Sequence, residues 1–346
     1  MTVVMLTSST GLSSITGYTA SAMSEVMRVA VGQFNQATHE ILTFAKQMGC
    51  SGVLLNTPQL PGTKRWEYGD LRRLRAQVEG YGLRLEALEN TPVAFYESAM
   101  LGLPDRDEAI ENYRATIRNV GQAGIPLLGF HWMPNQVWRT SRIAPGRGGA
   151  LCTAFDMAQV DQTRLTHGRV YPEDEMWRNY EYFLRAVLPV AEEAGVRLAL
   201  HPDDPPVPSL GGIARLFRSF EGFKRGMEVV PSANLGLDFC MGCWSEMRGG
   251  AGVLEAIQYF ASRGKIFYVH FRDVQGAAEN FQECFLGEGN VDVVEAMLAL
   301  KRNGFTGFLI DDHVPHMVDD TNWGHRGRAL ATGYIQGLLK AVERMS

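Results

Sequence analysis

The sequence predicts an α/β protein folded as a (β/α)8 TIM barrel, and three observations predict it. Eight short apolar runs recur along the chain, each bounded by turn residues or a helix end. Helix-length stretches with apolar residues three and four apart separate them. The last four runs finish in side chains of metal-binding type, at the strand ends where barrels carry their sites. An open doubly wound sheet would show the same alternation, but a count of eight units points to the closed barrel.

In chain order, the first strand is expected over Arg28–Phe34 and a helix over Thr38–Met48. Strands at Gly52–Leu55, Leu83–Leu88 and Pro126–Gly129 alternate with helices at Gly69–Gly80 and Arg106–Ala123. The helix Glu175–Ala194 leads into a fifth strand at Val196–Leu200. The segment Ser209–Phe223 is a weaker helix, because Gly211-Gly212 interrupts it. Strands at Asn234–Phe239, Lys265–Phe271 and Gly307–Ile310 complete the set, with helices at Gly252–Ser262, Val291–Asn303 and Arg328–Arg344. Gly49, Gly80–Gly82, Gly195 and Gly304 stand where helices end, because glycine accepts the left-handed backbone of a C-cap.

The 346 residues are read as one barrel domain over 27–346, preceded by a polar extension over 1–26 that contains no Lys or Arg. A secretory signal would begin with positive charge, so none is expected. No apolar run is long enough for a membrane helix. Thirty-three Lys+Arg against 38 Asp+Glu give a net charge of −5, which argues against a nucleic-acid partner. Five scattered cysteines do not make a disulfide framework and fit a reducing cytoplasm.

At the strand ends stand Glu89, His131, His201, Cys240, His270 and the run Asp311-Asp312-His313. His201, Cys240, His270 and Asp312 recur one strand–helix unit apart and are expected to converge on one divalent ion. Imidazole, thiolate and carboxylate together suit Zn, Mn, Fe or Co better than Mg or Ca. Asp203 or Asp204 could orient a ligand histidine through its second nitrogen. Arg272 and Arg139 are candidates to clamp a substrate carboxylate, although Arg272 could equally pair with Asp273. His313, titratable near neutrality and next to Asp312, is the best general acid/base.

Several features are given blander readings. Cys243 completes Cys-x-x-Cys with Cys240 but is expected to pack, since no second pair exists for a zinc ribbon. Gly146-Arg-Gly-Gly149 lacks the Lys-Ser/Thr of a phosphate loop and reads as a flexible loop. Gly287-Glu-Gly289 reads as a tight turn, with Glu288 aimed at the site. Two long connections, Trp132 to about Glu173 and Asp312 to about Trp323, read as lids or binding loops over the same face.

These residues resemble the mannonate dehydratase family, metal-dependent lyases with a xylose-isomerase-like barrel. The likeness runs from about Met27 to the C-terminus. It is carried by Asn112–Pro126, Met133-Pro134, Trp138-Arg139-Thr140 and His201-Pro-Asp-Asp-Pro-Pro206. Val269–Arg272, Leu286–Gly289, Arg328-Ala-Leu330 and Tyr334–Gly337 carry it further. The resemblance implies His201, Cys240, His270 and Asp312 as metal ligands, Mn2+ or Fe2+ as the metal, and His313 in proton transfer. The sequence departs from the family where a tyrosine-rich segment is replaced by Asn322-Trp-Gly-His-Arg-Gly327, and where an asparagine becomes His131. The family's Arg-Pro-Asp-His-Gly here reads Ile310-Asp311-Asp312-His313-Val314.

The implied reaction removes the C2 proton and the C3 hydroxyl of a sugar acid such as D-mannonate, leaving a 2-keto-3-deoxy acid. His131 or His325 would stand in for the missing tyrosine, and Arg139 or Arg272 would hold the carboxylate. Two other readings share the barrel: a metal-dependent sugar isomerase or epimerase, and a sugar-acid-binding barrel without turnover. Barrels of this kind often pair, so a homodimer is anticipated.

Overall fold

The computed structural model of the chain describes residues 26–345; of the extension expected over 1–26, all but Val26 lies outside them. The first strand is in two pieces, β1 (Arg28–Val29) and β2 (Val31–Phe34), separated by Ala30. β3 (Gly52–Asn56), β4 (Arg84–Glu89) and β5 (Leu127–Phe130) follow as expected. A hairpin, β6 (Ser141–Pro145) and β7 (Leu151–Asp156), precedes β8 (Arg197–Leu200), and a short pair, β9 (Ser209–Leu210) and β10 (Ile213–Ala214), follows it. Next come β11 (Leu235–Cys240), β12 (Ile266–His270), a second hairpin of β13 (Val274–Ala277) and β14 (Asn280–Glu283), and β15 (Phe308–Ile310).

The parallel strands run in the order β1-β15-β12-β11-β8-β5-β4-β3-β2. β1 and β2 are successive halves of one strand. One half pairs with β15 and the other with β3, so the eight-stranded ring closes on itself. Closure is the barrel's answer to the exposed edges of an open sheet.

The helices are α1 (His39–Gln47), α2 (Tyr68–Glu79), the short α3 (Glu97–Leu101), α4 (Arg106–Gln122), α5 (Glu173–Ala194), α6 (Phe220–Glu228), α7 (Met241–Ala261), α8 (Val293–Arg302) and α9 (His325–Arg344). Their apolar stripes and the outward faces of the strands form one large core, while Leu54, Ala87, Phe267, Tyr268 and Phe308 help fill the ring's interior. Caps follow from local chemistry. Thr38, Ser219 and Asp292 accept backbone N–H bonds at the starts of α1, α6 and α8. Gly49, Gly82, Gly195 and Gly304 carry the positive φ expected of them.

Three segments differ from expectation. Residues 209–214 form the small β9–β10 pair, and α6 begins only after the Ser219 cap. α7 starts eleven residues early, at Met241, because Met241–Glu246 is buried; Arg248 and Gly249 leave helical geometry, where the sequence pattern broke. The connection from Trp132 to Glu173 holds β6 and β7, which join β13 and β14 in an antiparallel sheet ordered β13-β14-β7-β6. The Gly146–Gly149 run is the tip of the first hairpin. Phe155, Val207, Leu210, Val274 and Phe281 form a small separate core for this sheet. It is a lid built from two barrel loops, and it covers part of the ring's C-terminal face.

Candidate active site

A cleft of about 630 Å3 opens among the C-terminal strand ends and the lid, and His131, Arg139, His201, His270, Asp312 and His313 all line it. Cys240 and Arg272 lie buried, in contact with each other at 3.0 Å, Sγ to Nε. Gln33, Thr57, Asn90, Gln136 and His313 also line the cleft, and all five have positive φ, between 42° and 62°. Asp319 is the one other non-glycine residue so placed among the described residues. Left-handed backbone costs such residues of order 1–3 kcal/mol, and its concentration here marks the working end of the barrel.

The geometry decides which ring nitrogens face one another. His201 Nδ1 donates to the Pro202 carbonyl at 2.7 Å, so its Nε2 is the free nitrogen. The sequence suggested Asp203 or Asp204 for this orienting contact; a backbone carbonyl makes it instead. Asp203 accepts from the Phe217 N–H at 2.6 Å, and Asp204 binds Arg139. His270 Nε2 donates to Glu89 at 2.7 Å and lies 3.3 Å from Asp238, whose other oxygen accepts from the Tyr268 hydroxyl at 3.0 Å. His270 Nδ1 is buried without a hydrogen-bond partner and faces Asp312 Oδ2 at 3.6 Å.

Three groups have donor atoms within 4.8 Å of one another: His201–Cys240–His270, Glu89–Asp238–His270 and Asp204–Cys243–Glu246. The third is filled by a cation of the chain itself. Arg272 Nη2 lies 3.3 Å from Asp204, 3.1 Å from Cys243 and 3.1 Å from Glu246. In the second, the His270 Nε2 proton already bridges to carboxylate. The first combines a thiol sulfur with the unpartnered nitrogen of His270, so it is the group whose donors fit a divalent ion. Asp312 borders it.

Charge reinforces that choice. Burial opposes ionisation of the Cys240 thiol, but Cys243 and the Arg272 guanidinium hold its pKa well below the ordinary thiol value. Cys243, raised by burial and by Cys240, stays a thiol. Burial also opposes charging of His201, yet Asp238 and Cys240 lift its pKa to about 10. The acidic neighbours of these imidazoles thus favour a positive charge held among them. Gly242 lets the Arg272 guanidinium lie across the start of α7, since a Cβ there would stand 2.5 Å from it.

The remaining sequence candidates divide. Arg139 places both terminal nitrogens on Asp204, at 2.5 and 2.8 Å through Nη1 and Nη2, and Nη2 also meets Glu283 at 2.9 Å. Arg272 meets Glu283 besides its contacts above, not Asp273. Asp273 instead accepts the N–H groups of Val274, Gly289 and Val291. Neither arginine therefore presents a free fork. His131 is pushed down to about 3 by burial, His201 and Arg215, and is neutral. Its Nδ1 accepts from the Met133 N–H, which leaves Nε2 as the protonated nitrogen. His313 keeps 30% of its side chain exposed, with Nε2 3.5 Å from Asp312 and 4.0 Å from Asp204. His325 is outside the cleft: it binds Thr321 and packs on Phe44 and Trp323. Glu288 pairs with Arg147 rather than the site.

Asp238, Glu246 and Glu283 are not singled out from sequence, and Glu89 is placed at a strand end without a role. Glu89 closes β4, and Asp238 precedes Cys240 by two, on the same strand face, so strand periodicity carried a signal for both. Glu283 lies on β14, in a segment without a strand pattern of its own.

A family model described as D-mannonate dehydratase (UxuA) matches residues 27–170 and 163–346. The chain belongs to the mannonate dehydratase family. A mannonate dehydratase of Streptococcus pneumoniae is 31% identical over 327 residues, covering 86% of this chain and 88% of the relative. One from Thermotoga maritima is 30% identical over 335 residues, covering 86% and 92%. The crystal structure of mannonate dehydratase from Streptococcus suis serotype 2 superposes with a TM-score of 0.84 at 30% identity, over 92% of this chain and 94% of that one. A D-tagatose 3-epimerase-like protein, at 16% identity and a TM-score of 0.62, shares the fold. The expectation of a sugar-acid hydro-lyase on a xylose-isomerase-like barrel therefore holds for this member of the mannonate dehydratase family. No described helix is long and apolar enough to cross a membrane.

Proposed function

We propose that the protein is a metal-dependent dehydratase of D-mannonate or a closely similar aldonate, releasing water and a 2-keto-3-deoxy acid. The observation that carries the reading is the unpartnered His270 Nδ1 beside Cys240, His201 and Asp312 in a family of dehydratases. His201, Cys240, His270 and Asp312 would hold the ion, and their mixed donors suit Mn2+ or Fe2+. When bound, such an ion supplies Lewis-acid polarisation of a substrate oxygen.

The chain's own groups account for the proton steps. His313, partly exposed and next to Asp312, takes the C2 proton at Nε2 and returns it to solvent. The C3–O bond breaks as the C2–C3 double bond forms, and the departing hydroxide takes a proton from solvent to leave as water. His131, neutral and protonated at Nε2, donates a hydrogen bond in the cleft and does not act as a base. The resulting enol takes a proton at C3 to give the ketone. Arg139 and Arg272 hold Asp204, Glu283, Cys240 and Asp312 in place and are positioning residues.

Purified protein reloaded with Mn2+ should convert D-mannonate, within an aldonate panel, to a product that gives the 2-keto-3-deoxy acid colour reaction. A product of unchanged mass would mean isomerisation. No product from any aldonate would overturn the proposal.

A further inference from the structure

We infer that Arg142, with Thr153 opposite it in the lid, is the receptor for the substrate's carboxylate. The inference rests on the sugar-acid reading above and gives it a direction. A sugar acid needs a cation with donors to spare. The arginines lining the main cleft and the adjoining one, of about 570 Å3, are Arg139, Arg142 and Arg328. Arg139 is committed to Asp204 and Glu283, and Arg328 to Asp311 and the Trp323 carbonyl. Among the described residues Arg142 alone of the three has no carboxylate or carbonyl partner, and it lines both clefts.

Its backbone setting points the same way. In the β6–β7 ladder Ser141 pairs with Ala154 and Ala144 with Cys152, so two residues, Arg142 and Ile143, oppose the single residue Thr153. This is a β-bulge, a feature that re-aims a side chain and recurs next to active sites. Thr153 lines both clefts too, and its hydroxyl oxygen is buried with no hydrogen-bond partner. A planar guanidinium beside an unpaired hydroxyl matches a carboxylate, which can take two parallel N–H bonds and one O–H bond.

The wall at the ends of β2, β3 and β4 carries uncharged polar groups around the buried Glu89, which is itself paired with His270. Gln33, Asn56, Thr57 and Asn90 offer amides and a hydroxyl, and the buried Asn90 Oδ1 has no partner. Such groups suit the hydroxyls of a polyol tail. The acid would lie with its carboxylate under the lid hairpin and its tail toward β2, β3 and β4, which brings the carbons next to the carboxylate near His313.

The test is D-mannonate binding and turnover by Mn2+-loaded Arg142→Gln, Arg142→Lys and Thr153→Val. Arg142→Gln should raise the mannonate dissociation constant and KM by roughly 10- to 100-fold. Metal content should be unchanged, and inhibition by the uncharged D-mannitol should be unaltered. Arg142→Lys should restore part of the loss, and Thr153→Val should show a smaller loss of the same kind. Unchanged mannonate affinity in Arg142→Gln would overturn the inference while leaving the dehydratase reading intact. Equal weakening of mannonate and mannitol would also overturn it, as the mark of a disordered lid. Wild-type protein that binds mannonate but forms no 2-keto-3-deoxy acid would sink the dehydratase reading instead, and the binding series would still judge Arg142.

Discussion

At the residue scale, neighbouring groups divide the proton chemistry of the cleft by environment. His313 is the one lining histidine with a partly exposed ring and a carboxylate beside it, so His313→Asn should lower kcat at least 100-fold while metal content stays constant. Retained turnover would move the base elsewhere. His131 is the counter-case. Its folded pKa, about 3, lies below the ordinary histidine value, so between the two only the unfolded chain binds the proton. Stability is therefore lost as pH falls from about 6.5 toward 3, at up to about 1.4 kcal/mol per pH unit from this group. His131→Gln should flatten the acid side of the stability curve by that amount, measured by urea unfolding between pH 4 and 6. A curve parallel to wild type would mean that His131 is not held neutral. Cys240 shows how much a residue gains from its place: at the end of β11 and the N-cap of α7, it meets Arg272 on one side and the two histidines on the other.

At the element scale, the barrel and the lid were legible to different degrees. The eight strands and most of the helices follow from periods that hold over many residues, and the candidate ligand set comes from reading the residues at or just past each strand end. Glu89 stands at a strand end by the same rule, and Asp238, two residues before Cys240 on the same strand face, could have been added by strand periodicity. The lid could not be read this way. β6, β7, β13 and β14 are short and partly exposed, and the pairing that joins the two hairpins into one sheet, β7 with β14, links segments over a hundred residues apart, so no local pattern marks it. Arg139 and Arg272 had the right location but the wrong partners, because the carboxylate of Glu283 that occupies both comes from that unreadable segment. The lid's own core makes a prediction. Phe281 packs on Phe155 at 6.0 Å between ring centroids and lies under the Arg139 guanidinium at 4.9 Å. Phe281→Ala removes a side chain whose burial is worth about 3–5 kcal/mol, mostly from a unit separate from the main core. Limited proteolysis should then cut within residues 141–156 well below the temperature at which far-UV circular dichroism reports barrel melting. Loss of lid and barrel together at one temperature would show that the two form a single cooperative unit.

At the scale of the whole molecule, the closed ring gathers buried ionisable groups at one end. Glu89, Asp312 and the Cys240 thiolate converge there with Arg272, His201 and His270, while burial lifts the Asp238 carboxyl to about 8. A divalent ion held by His201, Cys240, His270 and Asp312 would replace the imidazole protons and tie together the ends of β8, β11, β12 and β15, which are consecutive neighbours around the ring. The unfolded chain has no such site, so binding adds to folding stability as RT ln(1 + [M]/Kd), about 4 kcal/mol at a thousandfold excess over Kd. For a chain of this size that corresponds to roughly 5–10 °C. Metal-free protein should therefore melt lower by about that margin and recover it with Mn2+. Cys240→Ser, which keeps the volume and loses the thiolate, should lose most of the recovery. The ligands bind deprotonated, so protons compete with the ion and the Mn2+-induced rise should shrink as pH is lowered from 8 to 6. A rise of equal size in Cys240→Ser, or one indifferent to pH, would place the ion outside this group of strand ends.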